Sequence, residues 1–366
     1  MFRSRLAVVL VAVLTGLGLL VGSSPGPAVA APGPDDEGGT ATLQRRLDEA
    51  AGGYNNAHAK AQASEKRRTA LITQIAALEK RISALDAEVG KLSAAAYRNG
   101  IPDTATAMTN SRSLPDLIGN IGLIDALSER RTRTLNDLRH AKEDLATARK
   151  DVDAQLTKQR SAERTMSQKR AAAEKALADA KVGGQQTGGF TTDGENNDER
   201  AAAGGSPSSS GPKAEPAPKR KTTSRRATSA PRRADGSWGS EGCSQDDPTS
   251  DGCLTPRTLH ALRQTQAAGF THYVHCFRQA SFGEHPKGRA CDFAAAKNGF
   301  GGAATGDDRA YGNRLAAWYI ANADRLAVLY VIWYRQIWLP GIGWRAYQSG
   351  SDPSAAHTNH VHLSVQ

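Results

Sequence analysis

LITQIAALEKRISALDAEVGKL, residues 71–92, carries Leu71, Ile75, Leu78, Ile82, Leu85, Val89 and Leu92 at alternating steps of four and three. This is the a/d seam of a coiled coil, held over about three heptads, and it predicts a long helix that needs a partner. Ala, Lys, Glu, Arg and Gln, good helix formers, fill many positions between. A weaker extension runs back to Leu43 and Leu47, interrupted by Gly52-Gly53. Asn99-Gly100 and Pro102 predict the helix end. Residues 103–113 are mostly polar, and a short, partly apolar piece follows from Leu114 to Ile118. A second long helix is expected from near Ile121 to near Val182. Its seam is thin: Leu138, Leu145 and Val152 lie seven apart, Leu127, Leu135 and Leu156 are nearby, and Ala141 and Ala148 fill in. The first helix is the obvious partner, so residues 41–182 are expected to form an all-α coiled-coil hairpin. No Phe, Tyr or Trp occurs between Tyr97 and Phe190, which argues against a compact core there. A spacer or oligomerisation rod is one expected role, and a docking arm for a regulatory membrane partner is the other.

Outward from this rod the composition changes. Aromatic residues make up only 5% of the 366 positions, yet all five Trp, six of the eight Tyr and seven of the nine His follow residue 237. The average hides a small, aromatic, His-rich domain. A single long apolar run excludes a polytopic membrane protein. That run, residues 6–21, follows Arg3 and Arg5 and precedes Ala28-Val29-Ala30. The order is that of a secretory signal peptide cut after Ala30, with a membrane anchor as the alternative. The first cysteine is Cys243, which excludes a lipid-modified N-terminal cysteine. Residues 183–242 are Gly, Ser, Thr, Pro, Asn and charge, and are expected to be a disordered basic linker. Eight Lys or Arg against two acidic residues between Lys213 and Asp235 supply +6. In an exported chain the expected counter-ion is an anionic wall polymer or a membrane surface. Nucleic acid is disfavoured, because no aromatic residues interleave the basic ones.

Residues 243–366 hold all four cysteines. Two disulfides are expected, and of three possible pairings Cys243–Cys253 and Cys276–Cys291 close the shortest loops. A four-cysteine zinc site lacks any CxxC spacing. Thr255-Pro256 caps a helix expected to reach Ala268. Strands are expected at 270–277, 290–293, 328–333 and 360–365, with a helix over 309–326 and Trp338 and Trp344 in a loop. The apolar 328–333 run reads as central. Together these predict an α+β domain with a small antiparallel or mixed sheet.

The chemistry gathers in two places. His285 and Asp292 bracket a turn, and His360-Val361-His362 sets two imidazoles on one face of the last strand. One Asp and two His are an ordinary zinc set that leaves a fourth position for water. The remaining imidazole is placed to take a proton from that water. The alternative is a scatter of surface or core histidines, which is the reading adopted for His260, His272 and His275.

His285-x6-Asp292 with His360-x-His362 resembles the metal signature of the LAS-type zinc peptidases, the superfamily of D-alanyl-D-alanine carboxypeptidases and wall endopeptidases. Further likeness to a secreted actinobacterial branch lies in 283–293, 322–326, 330–333, 337–338 and 357–364. The resemblance implies Zn2+ held by His285, Asp292 and His362. It implies His360 as general base and His357 as an additional active-site residue. Arg278 would bind a substrate carboxylate or the oxyanion, and Glu284 would support the first ligand. Cys291, directly before Asp292, departs from the pattern, and a disulfide there would stiffen the metal loop. The implied activity is hydrolysis of peptide bonds in peptidoglycan stems or cross-links by a secreted, wall-associated enzyme. A non-catalytic wall-binding or scaffolding protein is the alternative. The order of long helix, Ala94 to Gly100 motif, apolar insert and returning helix is similar to the coiled-coil arms of secreted bacterial peptidoglycan hydrolases. That likeness implies an arm that inhibits the hydrolase or couples it to a division transporter.

Overall fold

The computed structural model describes residues 37–100, 104–190 and 226–366. The expected signal peptide, and the middle of the expected linker, lie outside them. The first helix, α1, is Ala41–Asn99, capped by Thr40, whose side chain accepts from the Leu43 N–H. It runs unbroken through Gly52-Gly53, so these glycines do not interrupt it. Gly53 faces the returning helix, where a Cβ would stand 2.6 Å from Lys169 Cε, while a Cβ on Gly52 would meet only ordinary contacts. A short helix, α2, occupies Thr104–Asn110 within the stretch read as merely polar. The returning helix, α3, is Leu114–Asp179, and the apolar piece at 114–118 is its first turn.

α1 and α3 pack antiparallel. The seam positions Ile75, Leu78, Ile82, Leu85, Val89 and Leu92 are the half-buried ones, and their neighbours are mostly exposed. Ala141 and Ala148 are buried, as their seam positions predict. Cross-helix pairs such as Arg149–Glu79 (2.8 Å) and Lys142–Asp86 (3.3 Å) are solvated, so they add register more than stability.

The chain then enters a sheet. Its strands are β1 (Gly183–Gln186), β4 (Val274–His275), β5 (Ala290–Ala294), β6 (Val328–Trp333), β7 (Gln336–Leu339), β8 (Gly343–Tyr347) and β9 (His360–Val365). The order is β1-β8-β7-β6-β9-β5-β4, antiparallel throughout. A small ribbon of β2 (Gln245–Asp246) and β3 (Cys253–Leu254) stands apart. The helices are α4 (Pro256–Ala267), α5 (Gly306–Ala321) and α6 (Ala323–Leu326). The domain is α+β. β6 is central and buried along its whole length, as its apolar run requires.

Three expectations change. Trp338 and Trp344 lie on strands β7 and β8, paired across the hairpin, not in a loop. The strand read over 270–277 keeps only two paired residues. The Cys276 and Phe277 N–H groups are taken by Thr249 Oγ1 (2.9 Å) and Asp247 Oδ2 (2.8 Å), so the ladder stops there. The helix read over 309–326 divides at Asn322, whose side-chain amide donates back to the Trp318 carbonyl (2.8 Å).

The linker is also shorter than the reading of 183–242. Residues 183–186 form the edge strand β1, and Phe190 packs edge-on against Trp344 at 5.1 Å. From 226 the chain is again built in. The Ala227 N–H donates to Asn322 Oδ1 (3.0 Å), Trp238 is buried, and Arg232 lies 3.9 Å over the Trp238 ring. Phe190 and Trp238 are the large apolar residues of a polar tract, and both anchor its ends by burial.

The two faces of the sheet have different covers. Cys291, Phe293, Val331, Trp333, Val361, Leu363 and Val365 face the helices α4 to α6. Tyr330, Ile332, Ile337, Leu339 and Tyr347 face the base of the hairpin, where Leu43, Leu47, Ala50, Ala51, Ala173, Ala176 and Leu177 complete one core. A register shift between Val328 and Tyr330 puts Leu329 in the same cluster. Disulfides join Cys243 to Cys253 and Cys276 to Cys291, the expected pairs.

Candidate metal centre

The centre forms where β5 and β9 pair. Asp292 stands opposite His362, and Ala294 opposite His360. Period-two alternation sends His360, His362 and Ser364 to one face while Val361, Leu363 and Val365 enter the core. The facing strand positions are Ala290 and Ala294, small enough to leave room for imidazoles. His285 arrives from a single 3₁₀ turn, His285–Lys287, closed by Gly288 in the left-handed region. The Cys276–Cys291 disulfide ties the strand end before this turn to the residue before Asp292. It stiffens the loop, the role anticipated for Cys291.

The geometry brings the expected ligands together. Asp292 Oδ1 lies 2.8 Å from His362 Nδ1, Asp292 Oδ2 lies 3.2 Å from His285 Nε2, and the two ring nitrogens are 3.2 Å apart. The His285 Nδ1–H donates to the Cys276 carbonyl, which leaves Nε2 as a bare lone pair in the neutral ring. His362 Nε2 is 2.8 Å from Ser364 Oγ, which orients that ring too. A lone pair and a carboxylate oxygen therefore face each other across 3.2 Å. Two acceptors so placed repel unless a cation or proton lies between them. The donor set of two imidazoles and a carboxylate suits zinc, and its outer hydrogen bonds are those that metal-ligating histidines make. Burial alone would raise the Asp292 carboxyl, but His285, Arg278 and His360 hold it well below the usual carboxylate range.

His360 stands 3.5 Å from Asp292 Oδ1 through Nε2. Its orientation is set by Asn359. The Asn359 amide donates to the Gly301 carbonyl (2.9 Å) and Ser354 Oγ (3.0 Å), so Oδ1 turns to His360 Nδ1 at 2.8 Å and fixes the proton there. His360 Nε2 is then a buried lone pair with no hydrogen-bond partner among the described residues. Burial pushes this histidine down to about 4, against the pull of Asp292. His357 packs beside it, ring centroids 4.8 Å apart, with a left-handed backbone (φ 51°). Its ring Nδ1 faces the Ala355 carbonyl at 3.2 Å, and burial holds its pKa well below the usual histidine value.

Arg278 is placed differently from the expectation. Its guanidinium lies 2.5 Å from Asp292 Oδ2, so its charge goes to the ligand carboxylate rather than to an open substrate position. Glu284 also turns away from the ligands. Its carboxylate pairs with Lys287 (2.8 Å) and Arg289, and Arg289 continues to Asp48 of α1 (2.8 Å). Burial is the main cause that raises Glu284. His275, set aside in the sequence, stands opposite Asp292 in the β4–β5 register, with Nδ1 buried and without a hydrogen-bond partner among the described residues. His272 is structural, stacked on Tyr311 at 3.5 Å.

One participant has no signal in the sequence. Glu37, buried just ahead of α1, reaches the centre from the other end of the chain. Its Oε1 accepts from the N–H groups of Glu284 (2.6 Å) and His285 (3.1 Å), and Oε2 accepts from Tyr330 Oη (3.0 Å). Glu37, His285 and His362 offer ligand atoms that all lie within 4.8 Å of one another. Burial raises the Glu37 carboxyl, but His362, His285 and the two N–H groups bring it below its usual value.

Residues 250–358 match the family model described as VldE, C-terminal domain. The match includes His285, Asp292 and His357 and ends before His360 and His362. No curated protein and no solved structure matches the chain.

Proposed function

We propose that the chain is a secreted zinc-dependent peptidase that hydrolyses peptide bonds of peptidoglycan stems or cross-links. One observation carries the reading: a buried His285–Asp292–His362 set beside His360, an imidazole whose Nε2 has no hydrogen-bond partner among the described residues. His285, Asp292 and His362 would hold a zinc ion, and the chemistry it would supply there is Lewis-acid activation of water and of the scissile carbonyl. His360 Nε2 takes the proton of the attacking water and delivers it to the leaving amine. Asn359 keeps the His360 proton on Nδ1, so Nε2 stays the acceptor. His357 packs on that ring and limits its rotation. Arg278 offsets the charge of Asp292. Two disulfides support an exported chain.

The substrate class rests on the resemblance of 283–293 and 357–364 to wall peptidases. Within the basic tract Arg232 already bonds Asp324 at 2.7 Å, so wall affinity would fall to the other basic residues, the exposed Arg226 and Arg233 among them. At the far end of the hairpin Tyr97, Leu114, Ile118 and Leu123 are exposed, which supports an intermolecular contact there with a regulatory membrane protein or a second copy.

The test is zinc content together with mass spectrometry of products from muropeptides over long incubations. His360→Ala is expected to keep one zinc and to lose turnover by 10²-fold or more, on the order of a general base's contribution. Loss of zinc in that variant would make His360 a ligand and overturn its role. The second reading, a non-catalytic wall-binding protein with a structural metal, draws on the burial of His285, Asp292, His357, His360 and His362, each at most 1% exposed. Bound zinc with no product from the chain in any form would favour it.

A further inference from the structure

A peptidase centre must admit a polymer, yet every reacting group in this one is shut away. Part of the cover is the segment Glu37-Gly38-Gly39-Thr40. Glu37 and Gly38 are buried, and both carbonyls are held. The Glu37 carbonyl accepts from Tyr347 Oη (3.0 Å), and the Gly38 carbonyl accepts from the Gln44 side chain (2.9 Å). Both glycines adopt positive φ, 71° and 74°, and a Cβ on Gly38 would fall 1.9 Å from Ser349 Cβ. Gly283 (φ 95°) leaves the room on the other side, since a Cβ there would stand 2.7 Å from Glu37 Oε1. The segment is therefore fitted to the centre and is not loosely draped over it.

The carboxylate occupies a particular place. It lies with the ligand nitrogens of His285 and His362 inside a 4.8 Å set, while Asp292 completes the same two imidazoles from the sheet side. Glu37 Oε1 is filled by the Glu284 and His285 N–H groups, whereas Oε2, which accepts from Tyr330 Oη, keeps a second lone pair. Four protein ligands make a closed zinc site, whereas a catalytic site keeps one position open.

We propose that Glu37 is a fourth ligand of the metal, supplied by the segment ahead of α1, and that the closed structure is a latent form opened by withdrawal of that segment. The proposal rests on the zinc reading of the centre and extends it to regulation. The base of α1 is anchored in the sheet core by Leu43 and Leu47, so the segment can leave the centre without dismantling the hairpin.

The experiment compares the full mature chain with Glu37→Ala and Glu37→Gln, each checked for an unchanged circular-dichroism spectrum. Zinc affinity is read by competition with a chromophoric chelator, and turnover by product release from muropeptides at saturating zinc. Both variants are expected to bind zinc at least 10-fold more weakly. Glu37→Ala is expected to release product at least 10-fold faster than the unsubstituted chain. Zinc affinity within 3-fold of the unsubstituted chain in both variants overturns the ligand assignment. Weaker zinc with no gain in turnover, while the unsubstituted chain is active, overturns the latency. No turnover by any of the three proteins defeats the peptidase reading instead, and the affinity measurement alone then decides the ligand.

Discussion

The far half and the base of the helical hairpin carry the same kind of seam to opposite results. Between Leu78 and Leu92 the heptad pattern is at its most regular, and its side chains are only half-buried. At the base the pattern is weak, yet Leu43 and Leu47 are 2% and 1% exposed. The difference is the number of neighbours. A two-helix coil buries a seam on one side alone, whereas at the base the sheet supplies a third layer through Leu329, Ile332, Leu339 and Tyr347. Regularity of a pattern thus announces a helix, and a third layer decides whether its side chains become core.

The largest test of this contrast is a pair of truncations. Leu47→Ala is expected to cost about 2–5 kcal/mol in denaturant unfolding, because it leaves a cavity in a closed core. Leu85→Ala, in the half-exposed seam, is expected to cost about 1 kcal/mol. Equal costs would break the comparison. A middle-sized effect is expected at the ion network between base and metal turn. Asp48→Asn removes one of the two carboxylates paired with Arg289 and is expected to cost about 1 kcal/mol, the upper range for a partly exposed pair. Amide exchange should quicken at 284–290 and stay unchanged at 78–92; uniform quickening would deny that the base is coupled to the turn.

The smallest effect concerns pH. Asp324 is drawn down to about 2, first by His58 of α1 and then, against burial, by Arg232. A depressed carboxyl stabilises above its unfolded value, about 3.9, and that contribution is lost as pH falls towards 2. Because the group is nearly half exposed, Asp324→Asn is expected to cost less than about 1 kcal/mol at pH 7. The gap between variant and unsubstituted chain should shrink as pH falls from about 4 and close below pH 2. A gap that persists there would mean the cost comes from packing and not from charge.

Much of this architecture is legible in the chain. Steps of four and three place α1, and Ala141 and Ala148 sit at buried seam positions of α3. The 328–333 run is the central strand, and alternation in 360–365 sorts imidazoles from core residues. Short loops pair the cysteines. What escapes the reading has a common cause. Gly52-Gly53 looks like a break because the packing that carries the helix through it, on Lys169 and on the sheet, comes from distant parts of the chain. Trp338 and Trp344 look like loop residues because β7 and β8 are only four and five residues long, although Pro340-Gly341 between them marks the hairpin turn. The ends of the linker look unstructured because the partners of Phe190 and Trp238 are distant.

Periodicity and spacing are local, so they could establish the helices, the strands and the two imidazoles on one face of the last strand, whereas the choice of His285, Asp292 and His362 is what the resemblance to wall peptidases implies. The arrival of Glu37 beside His285 joins positions 248 apart. No local pattern encodes that meeting. It follows from the hairpin docking its base on the same sheet face that carries the imidazoles, and that docking is set by the fit of side chains brought together only when the chain has folded.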